Sequence, residues 1–152
     1  MTAVSAATGK PPADTAALQR LLAAEHAAVW GYGVIGGKLP PGQQPAALAG
    51  DRAHRGRRDA LTGLLLTRRV TPAASAASYH LPFPVDEAGA ARRLAVHLER
   101  GVAATWYAGL AEVTGPALRR LALAALTDAA TRGLQWRLTV PGEPSTVPFP
   151  GT

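Results

Sequence analysis

A long amphipathic helix is predicted over residues 14–32, which read DTAALQRLLAAEHAAVWGY. Its large apolar side chains recur at steps of three and four residues, the spacing of one buried helical face; they are Leu18, Leu21, Leu22, Val29 and Tyr32. Asp14 or Thr15 can cap this helix, and Gly36-Gly37 can end it. Glu25 falls on the same apolar face, so the helix directs a carboxylate toward the protein interior.

The same pattern recurs in three further segments. Helix two is predicted from about Pro45 to Arg69, helix three after Asp86, and helix four after Gly115-Pro116. Each segment carries an acidic residue on or beside its apolar face; these are Asp51, Glu99 and Asp128. No segment shows the alternation of a half-buried strand. The sequence therefore predicts an all-α protein.

The helices match in length, as a four-helix bundle requires. Each has about 22 to 25 residues and would extend roughly 33 to 37 Å. The connection between helices two and three could span about 50 Å, enough to cross the bundle from end to end. In this arrangement the four acids lie near mid-height. We expect a bundle over residues 14–140, a flexible tail over residues 1–13 and a proline-rich tail over residues 141–152.

Composition excludes several classes of protein. The chain of 152 residues suits one domain, and the absence of cysteine excludes disulfides, thiolate metal sites and cysteine catalysis. No apolar run resembles a secretion signal or a membrane span, so a soluble cytoplasmic protein without a membrane partner is expected. The net charge is +6, but the arginines are scattered and do not form a groove with aromatic residues, so nucleic acid is not the expected partner.

Inward carboxylates need neutralising partners, because removing an ionised carboxylate from water is costly. One source of neutralisation is a metal ion, since carboxylates and imidazole suit iron, manganese or zinc. Dinuclear sites in bundles use a Glu from each of two helices and a Glu-x-x-His from each of the other two. The matching candidates are Glu25, Asp51, His54, Glu99 and Asp128. Thr131 stands where the second histidine would be needed, so the second pair is incomplete.

The other source of neutralisation is arginine. Arg132 follows Asp128 by one helical turn, and Arg58 follows His54 by one turn. This interpretation predicts a metal-free polar network at the bundle centre, made of Glu25, His54, Arg58, Glu99, Asp128 and Arg132. Two inward guanidinium groups would repel a cation. The sequence therefore favours a non-catalytic bundle whose network holds the helix register or meets a protein or small-molecule partner of unknown identity. The alternative that stays open is a metal-carboxylate protein with a degenerate dinuclear or mononuclear site and redox or oxygen chemistry. Enzymatic activity stays open as well.

The chain also resembles a known family, the small bacterial ferritin-like domains labelled as a domain of unknown function. The residues that carry the resemblance are Ala24 to Trp30, Tyr32-Gly33-Val34, His54-Arg55, Arg58-Asp59, Tyr79 to Val85, Leu98-Glu99, Trp136 and Phe149-Pro150-Gly151. The resemblance implies a ferritin-like bundle with the long crossover between helices two and three, and it implies no known activity. The wider ferritin-like class stores iron or uses dinuclear metal centres, and its ligands correspond here to the five metal candidates already named.

Two remaining features have ordinary explanations. Residues 31–36 spell G-x-G-x-x-G, but a helical pattern and not a strand precedes them, so a dinucleotide site is not expected. Trp30 and Tyr107 lie off the main apolar faces of their helices. Because large aromatic residues concentrate at interfaces, these two side chains indicate a second apolar face. The resemblance to ferritin-like bundles, which commonly pair, implies a homodimer.

Overall fold

A computed structural model describes residues 14–149 of the chain, and within them it contains helices and no strand. The four α-helices are α1 (Thr15–Lys38), α2 (Gln44–Thr67), α3 (Ala88–Glu112) and α4 (Pro116–Arg137). A 3₁₀ turn, Pro41–Gln43, directly precedes α2. The predicted all-α four-helix bundle is confirmed. The predicted tail over residues 1–13 lies outside the described residues.

The helix ends follow local chemistry. Proline lies in the first turn of α2 and of α4, where its missing N–H group is not needed. Asp14 occupies the N-cap position of α1 but makes no side-chain capping bond. Its carboxylate instead accepts hydrogen bonds of 2.6 and 3.0 Å from Arg68, the residue that follows α2. This ion pair joins the start of α1 to the end of α2, so the two helices run antiparallel.

Close approaches at glycines give the direction of α3. A Cβ atom on Gly109 would lie 3.1 Å from Cδ2 of Leu21, and one on Gly31 would lie 2.4 Å from Cδ1 of Leu98. Because the later residue of α1 meets the earlier residue of α3, these helices are antiparallel. The close approach to Leu98 also explains why a glycine stands at position 31, the first of the G-x-G-x-x-G string. The whole string lies within α1.

The fourth helix returns beside α3. Leu118, near the start of α4, belongs to the same apolar cluster as Leu18, and Trp136, near its end, hydrogen-bonds Tyr32. Helix α4 is therefore parallel to α1. The order is up, down, down, up, and residues 68–87 carry the chain across the bundle between α2 and α3, as predicted. Within this crossover, Tyr79 packs against Trp30 with ring centroids 5.7 Å apart.

The helices form a chain of packed neighbours, and the ring is not fully closed. Helix α1 packs against α2 and α3, and α3 packs against α4, whereas α2 and α4 have no such extensive contact. Two apolar clusters fill the interior, one toward the Leu18 end and the other toward the Ile35 end. Glu25, His54 and Glu99 are fully buried near the level where these clusters meet. The bundle therefore encloses a polar layer at mid-height.

Candidate functional site

The centre of the polar layer is the imidazole of His54, which lies between two carboxylates. Its Nδ1 atom is 2.7 Å from Oε2 of Glu25, and its Nε2 atom is 3.2 Å from Oε1 of Glu99. All three side chains have no exposed surface. Both ring nitrogens can donate to these carboxylates when the imidazole is protonated. Nη2 of Arg57 also lies 3.0 Å from Nδ1, so one guanidinium group faces the ring together with the two anions.

Each of the two carboxylates also accepts hydrogen bonds from other side chains. Oε1 of Glu25 accepts from the indole Nε1 of Trp106 at 2.6 Å and from Nε of Arg57 at 3.0 Å. Oε1 of Glu99 accepts from the hydroxyl group of Tyr32 at 2.5 Å. Burial, followed by the negative charge of Glu99, raises the pKa of Tyr32 far above its usual value, so this hydroxyl stays protonated and donates.

Two arginines close the network on the side where α2 and α4 are not in extensive contact. Arg57 of α2 donates from Nη1 to Oδ2 of Asp128 at 2.5 Å, and Arg132 donates from Nη2 to the same oxygen at 2.8 Å. The Nε atom of Arg132 lies 3.2 Å from Oε1 of Glu99. Although burial alone would raise the pKa of Asp128, its hydrogen bonds with the two arginines lower that pKa below the usual range.

The charges of this network balance when His54 is protonated. Three carboxylates face two guanidinium groups, so one further positive charge makes the layer neutral. Burial alone would lower the pKa of His54, but hydrogen bonds to Glu25 and Glu99 and the charges of both carboxylates raise it above its ordinary 6.5. The layer therefore favours protonation of His54 more than water does.

This balance predicts how stability depends on pH. Because the folded-state pKa of His54 is raised above 6.5, the protonated imidazole contributes fully to stability below that pH. The contribution is lost as the pH rises through the folded-state pKa. We expect the urea midpoint of the wild type to fall over that interval, whereas the fall disappears in His54→Gln. His97→Gln, which removes an exposed histidine, should retain it; an unchanged slope in His54→Gln would contradict the assignment.

Five of the side chains predicted from the sequence meet in this site: Glu25, His54, Glu99, Asp128 and Arg132. Asp51 is not among them, because its Oδ2 accepts a hydrogen bond from Nε of Arg55 at 2.7 Å on the outer side of α2. Its position is rotated by about 60° from His54 on the helix, toward the groove between α1 and α2 that Asp51 lines.

The sequence also predicted Arg58 in the central network, but the structure places it outside this network. It pairs with Asp59 at 2.8 Å near the surface, and Arg57 occupies the position toward the centre. Both arginines fit the spacing between His54 and Leu61, so periodicity alone could not choose between them. The choice depends on which side of α2 faces α4.

The donors Trp106, Tyr32 and Trp136 were missed as members of the site. Trp136 donates from Nε1 to the hydroxyl oxygen of Tyr32 at 2.8 Å, which orients that hydroxyl toward Glu99. A signal was present, since Tyr32 lies on the predicted buried face of α1 and a buried Tyr usually requires a polar partner.

The arrangement does not suit a metal ion. In the part of the chain that the structure describes, no group of three or more His, Asp or Glu side chains is disposed to hold one. Both nitrogens of His54 are within hydrogen-bonding distance of carboxylates, and Nη2 of Arg57 lies 3.0 Å from Nδ1, so a cation at either nitrogen would have to displace one of these contacts. One of the five predicted ligands, Asp51, also lies away from the other four and pairs with Arg55.

Comparison of the sequence with known protein families gives one match. The profile of the family described as Domain of unknown function (DUF4439) matches residues 17–152. The chain belongs to this family. The DUF4439 match covers α1 from residue 17 and the other three helices completely, and with them every member of the polar layer.

A solved structure supports the same fold. The crystal structure of a conserved hypothetical protein, rv2844, from Mycobacterium tuberculosis is 38% identical and superimposes with a TM-score of 0.81. The similarity covers 84% of this chain and 97% of the mycobacterial chain. No curated protein matches. Among the described helices, none has the length and apolar character needed to cross a bilayer.

Proposed function

We propose that this DUF4439 chain is a ferritin-like, non-catalytic bundle whose centre is neutralised by arginine and histidine in place of a metal. The up, down, down, up order with a long crossover supports the ferritin-like assignment. The observation that carries the proposal is the position of Arg57, whose guanidinium contacts both Glu25 and Asp128. A cation at the same point would meet a positive charge instead of an open coordination position.

The proposed role of the layer is to hold the register of the helices. One or more members come from each helix: Glu25 from α1, His54 and Arg57 from α2, Glu99 from α3 and Asp128 from α4. Sliding one helix by a turn would separate a buried charge from its partners, at a cost of several kcal/mol. A bundle fixed in this way presents a constant outer surface, which suits a scaffold that meets a protein or small-molecule partner.

Metal analysis tests this proposal against the alternative metal-carboxylate protein. We expect protein purified without chelator to contain no stoichiometric iron, manganese or zinc, and these ions to leave its melting temperature unchanged. The double variant Arg57→Gln/Arg132→Gln leaves the carboxylates uncompensated, and we expect divalent ions to raise its melting temperature.

The control for metal content is His54→Ala, measured beside the wild type. Near-stoichiometric metal in the wild type that is lost from His54→Ala would overturn the proposal and make the central side chains ligands. Elemental analysis by mass spectrometry gives the content directly, and thermal denaturation with and without each ion gives the linkage.

We propose in addition that the protein forms a homodimer. The support is the side chain of Tyr107 on α3, which is 51% exposed, since tyrosine is enriched at protein interfaces. Sedimentation equilibrium measures the assembly, and a monomer at every concentration would contradict the proposal. The cytoplasmic location stays a prediction from the sequence.

A further inference from the structure

A cavity of about 260 Å³ lies between α3 and α4, beyond the polar layer. Its walls include Ala103 of α3 and Ala129 and Ala130 of α4, and residues 147–149 lie at its outer side. Three polar side chains also line it: Glu99, Arg100 and Arg137. The cavity thus has an apolar body with charged groups at defined points.

Arg137 is the first sign that this cavity takes a ligand. It is the last residue of α4 and is only 8% exposed. Across residues 14–149 its side chain has no carboxylate partner, and its buried Nε atom has no hydrogen-bond partner. The negative end of the α4 dipole offers partial compensation. A buried guanidinium without an anion is nevertheless costly, so the position favours binding of an anionic group.

Glu99 lies on the inner wall and carries the opposite charge, so it directs an anionic group away from itself and toward Arg137. Its Oε1 atom takes part in the polar layer, but its buried Oε2 atom has no partner among the described residues. Gly133 separates Glu99 from Arg137: a Cβ atom there would lie 3.4 Å from Cβ of Glu99 and 3.5 Å from Nη1 of Arg137. The absence of a side chain at position 133 leaves space between an acceptor and a cation.

We infer that this cavity binds a small organic carboxylate, with the carboxylate on Arg137 and an apolar body against the alanines and residues 147–149. Guanidinium binds carboxylate in a planar, bidentate fashion. An inorganic anion fits less well, because apart from the arginines the walls are largely apolar and offer few donors to its remaining oxygens. At about 30 Å³ per water molecule, the volume corresponds to roughly nine waters, and so to a ligand with a similar number of non-hydrogen atoms. This site is separate from the proposed scaffold role and does not depend on it.

Benzoate is a suitable probe, since it joins one carboxylate to one apolar ring within this size. We expect isothermal titration calorimetry to show saturable, one-to-one binding of sodium benzoate to the full chain. Benzamide, which has the same shape without the charge, should not bind. Sodium chloride at matched ionic strength should not reproduce the thermal stabilisation that benzoate gives.

Variants distinguish this cavity from a general affinity for anions. Arg137→Gln should weaken benzoate binding by about tenfold or more, whereas Arg120→Gln, at an exposed position of α4, should leave it unchanged. If Arg137→Gln does not fold, Gly133→Ala supplies the test. Its added methyl makes only ordinary contacts, so the helix is retained, but it narrows the space between Glu99 and Arg137 and should weaken binding.

Three results would overturn the inference. They are the absence of saturable benzoate binding to the wild type, equal binding of benzoate and benzamide, and unchanged affinity in a folded Arg137→Gln or Gly133→Ala variant. The site is also distinguishable from the polar layer, because metal content and the pH profile of His54 are not expected to change in Gly133→Ala.

Discussion

Replacing Glu25 by glutamine should lower the free energy of unfolding by about 3 to 5 kcal/mol. The fully buried carboxylate accepts hydrogen bonds from His54, Arg57 and Trp106. The amide keeps the shape of the side chain but removes its charge. Its NH₂ group is a hydrogen-bond donor and cannot accept the N–H bonds that the carboxylate oxygen accepted. An imidazolium and a guanidinium are then left short of one negative charge in a buried layer. Equilibrium urea unfolding measures the loss, which corresponds to roughly 10 °C in melting temperature for a chain of this size.

The matched control is Asp59→Asn, the same chemical change on the same protein. Asp59 pairs with Arg58, and its side chain is 66% exposed, so the loss should stay below about 0.5 kcal/mol. A loss below about 1 kcal/mol in Glu25→Gln would show that the layer does not hold a charge there. In that case the arginine and histidine would have to be compensated by groups other than Glu25.

The second large effect is expected at Gly50 in α2. A Cβ atom there would lie 2.2, 2.4 and 2.9 Å from ring atoms of Tyr32, too close for any real contact. Tyr32 cannot move aside without breaking its hydrogen bonds with Glu99 and Trp136. We expect Gly50→Ala to destabilise the protein by about 2 to 4 kcal/mol, through overpacking and the loss of these bonds. Thermal and urea unfolding report the change.

Gly56→Ala is the control on the same helix. No atom lies within 4 Å of a Cβ built at Gly56, so only helix propensity acts there, and it should stabilise the protein by up to about 1 kcal/mol. A lower free energy of unfolding in Gly50→Ala and a higher one in Gly56→Ala would confirm the close approach of α2 to the Tyr32 ring. A neutral or stabilising Gly50→Ala would contradict it.

Helix periodicity was sufficient to predict the bundle. Four apolar faces with matched lengths define four packed helices, and the acidic residues at mid-height on those faces predict that they converge. Glu25 and Glu99 were found in this way, because each interrupts an apolar face where only a compensated charge is tolerated. The length of the chain between α2 and α3 allowed a crossover, and the family resemblance implied it.

Side-chain choice between neighbouring positions could not be predicted. Arg57 and Arg58 differ by about 100° around α2, and selecting one requires knowing where α4 lies. Asp51 satisfied the Asp-x-x-His spacing but pairs with Arg55 instead. The absence of a partner for Arg137 among the described residues could not be predicted either. It depends on three-dimensional packing and leaves no pattern along the chain.

The incomplete contact between α2 and α4 has a consequence for internal motion. Helices α1 and α3 each pack against two neighbours, whereas α2 and α4 stand at the two ends of the packed series. Local opening should therefore start with an end helix moving outward, which separates the Arg57–Asp128 pair and lets water reach His54 from one side. Amide hydrogens of α2 and α4 should then exchange with solvent faster than those of α1 and α3. Breaking the Arg57–Asp128 ion pair would thus let water into the polar layer before the whole bundle unfolds.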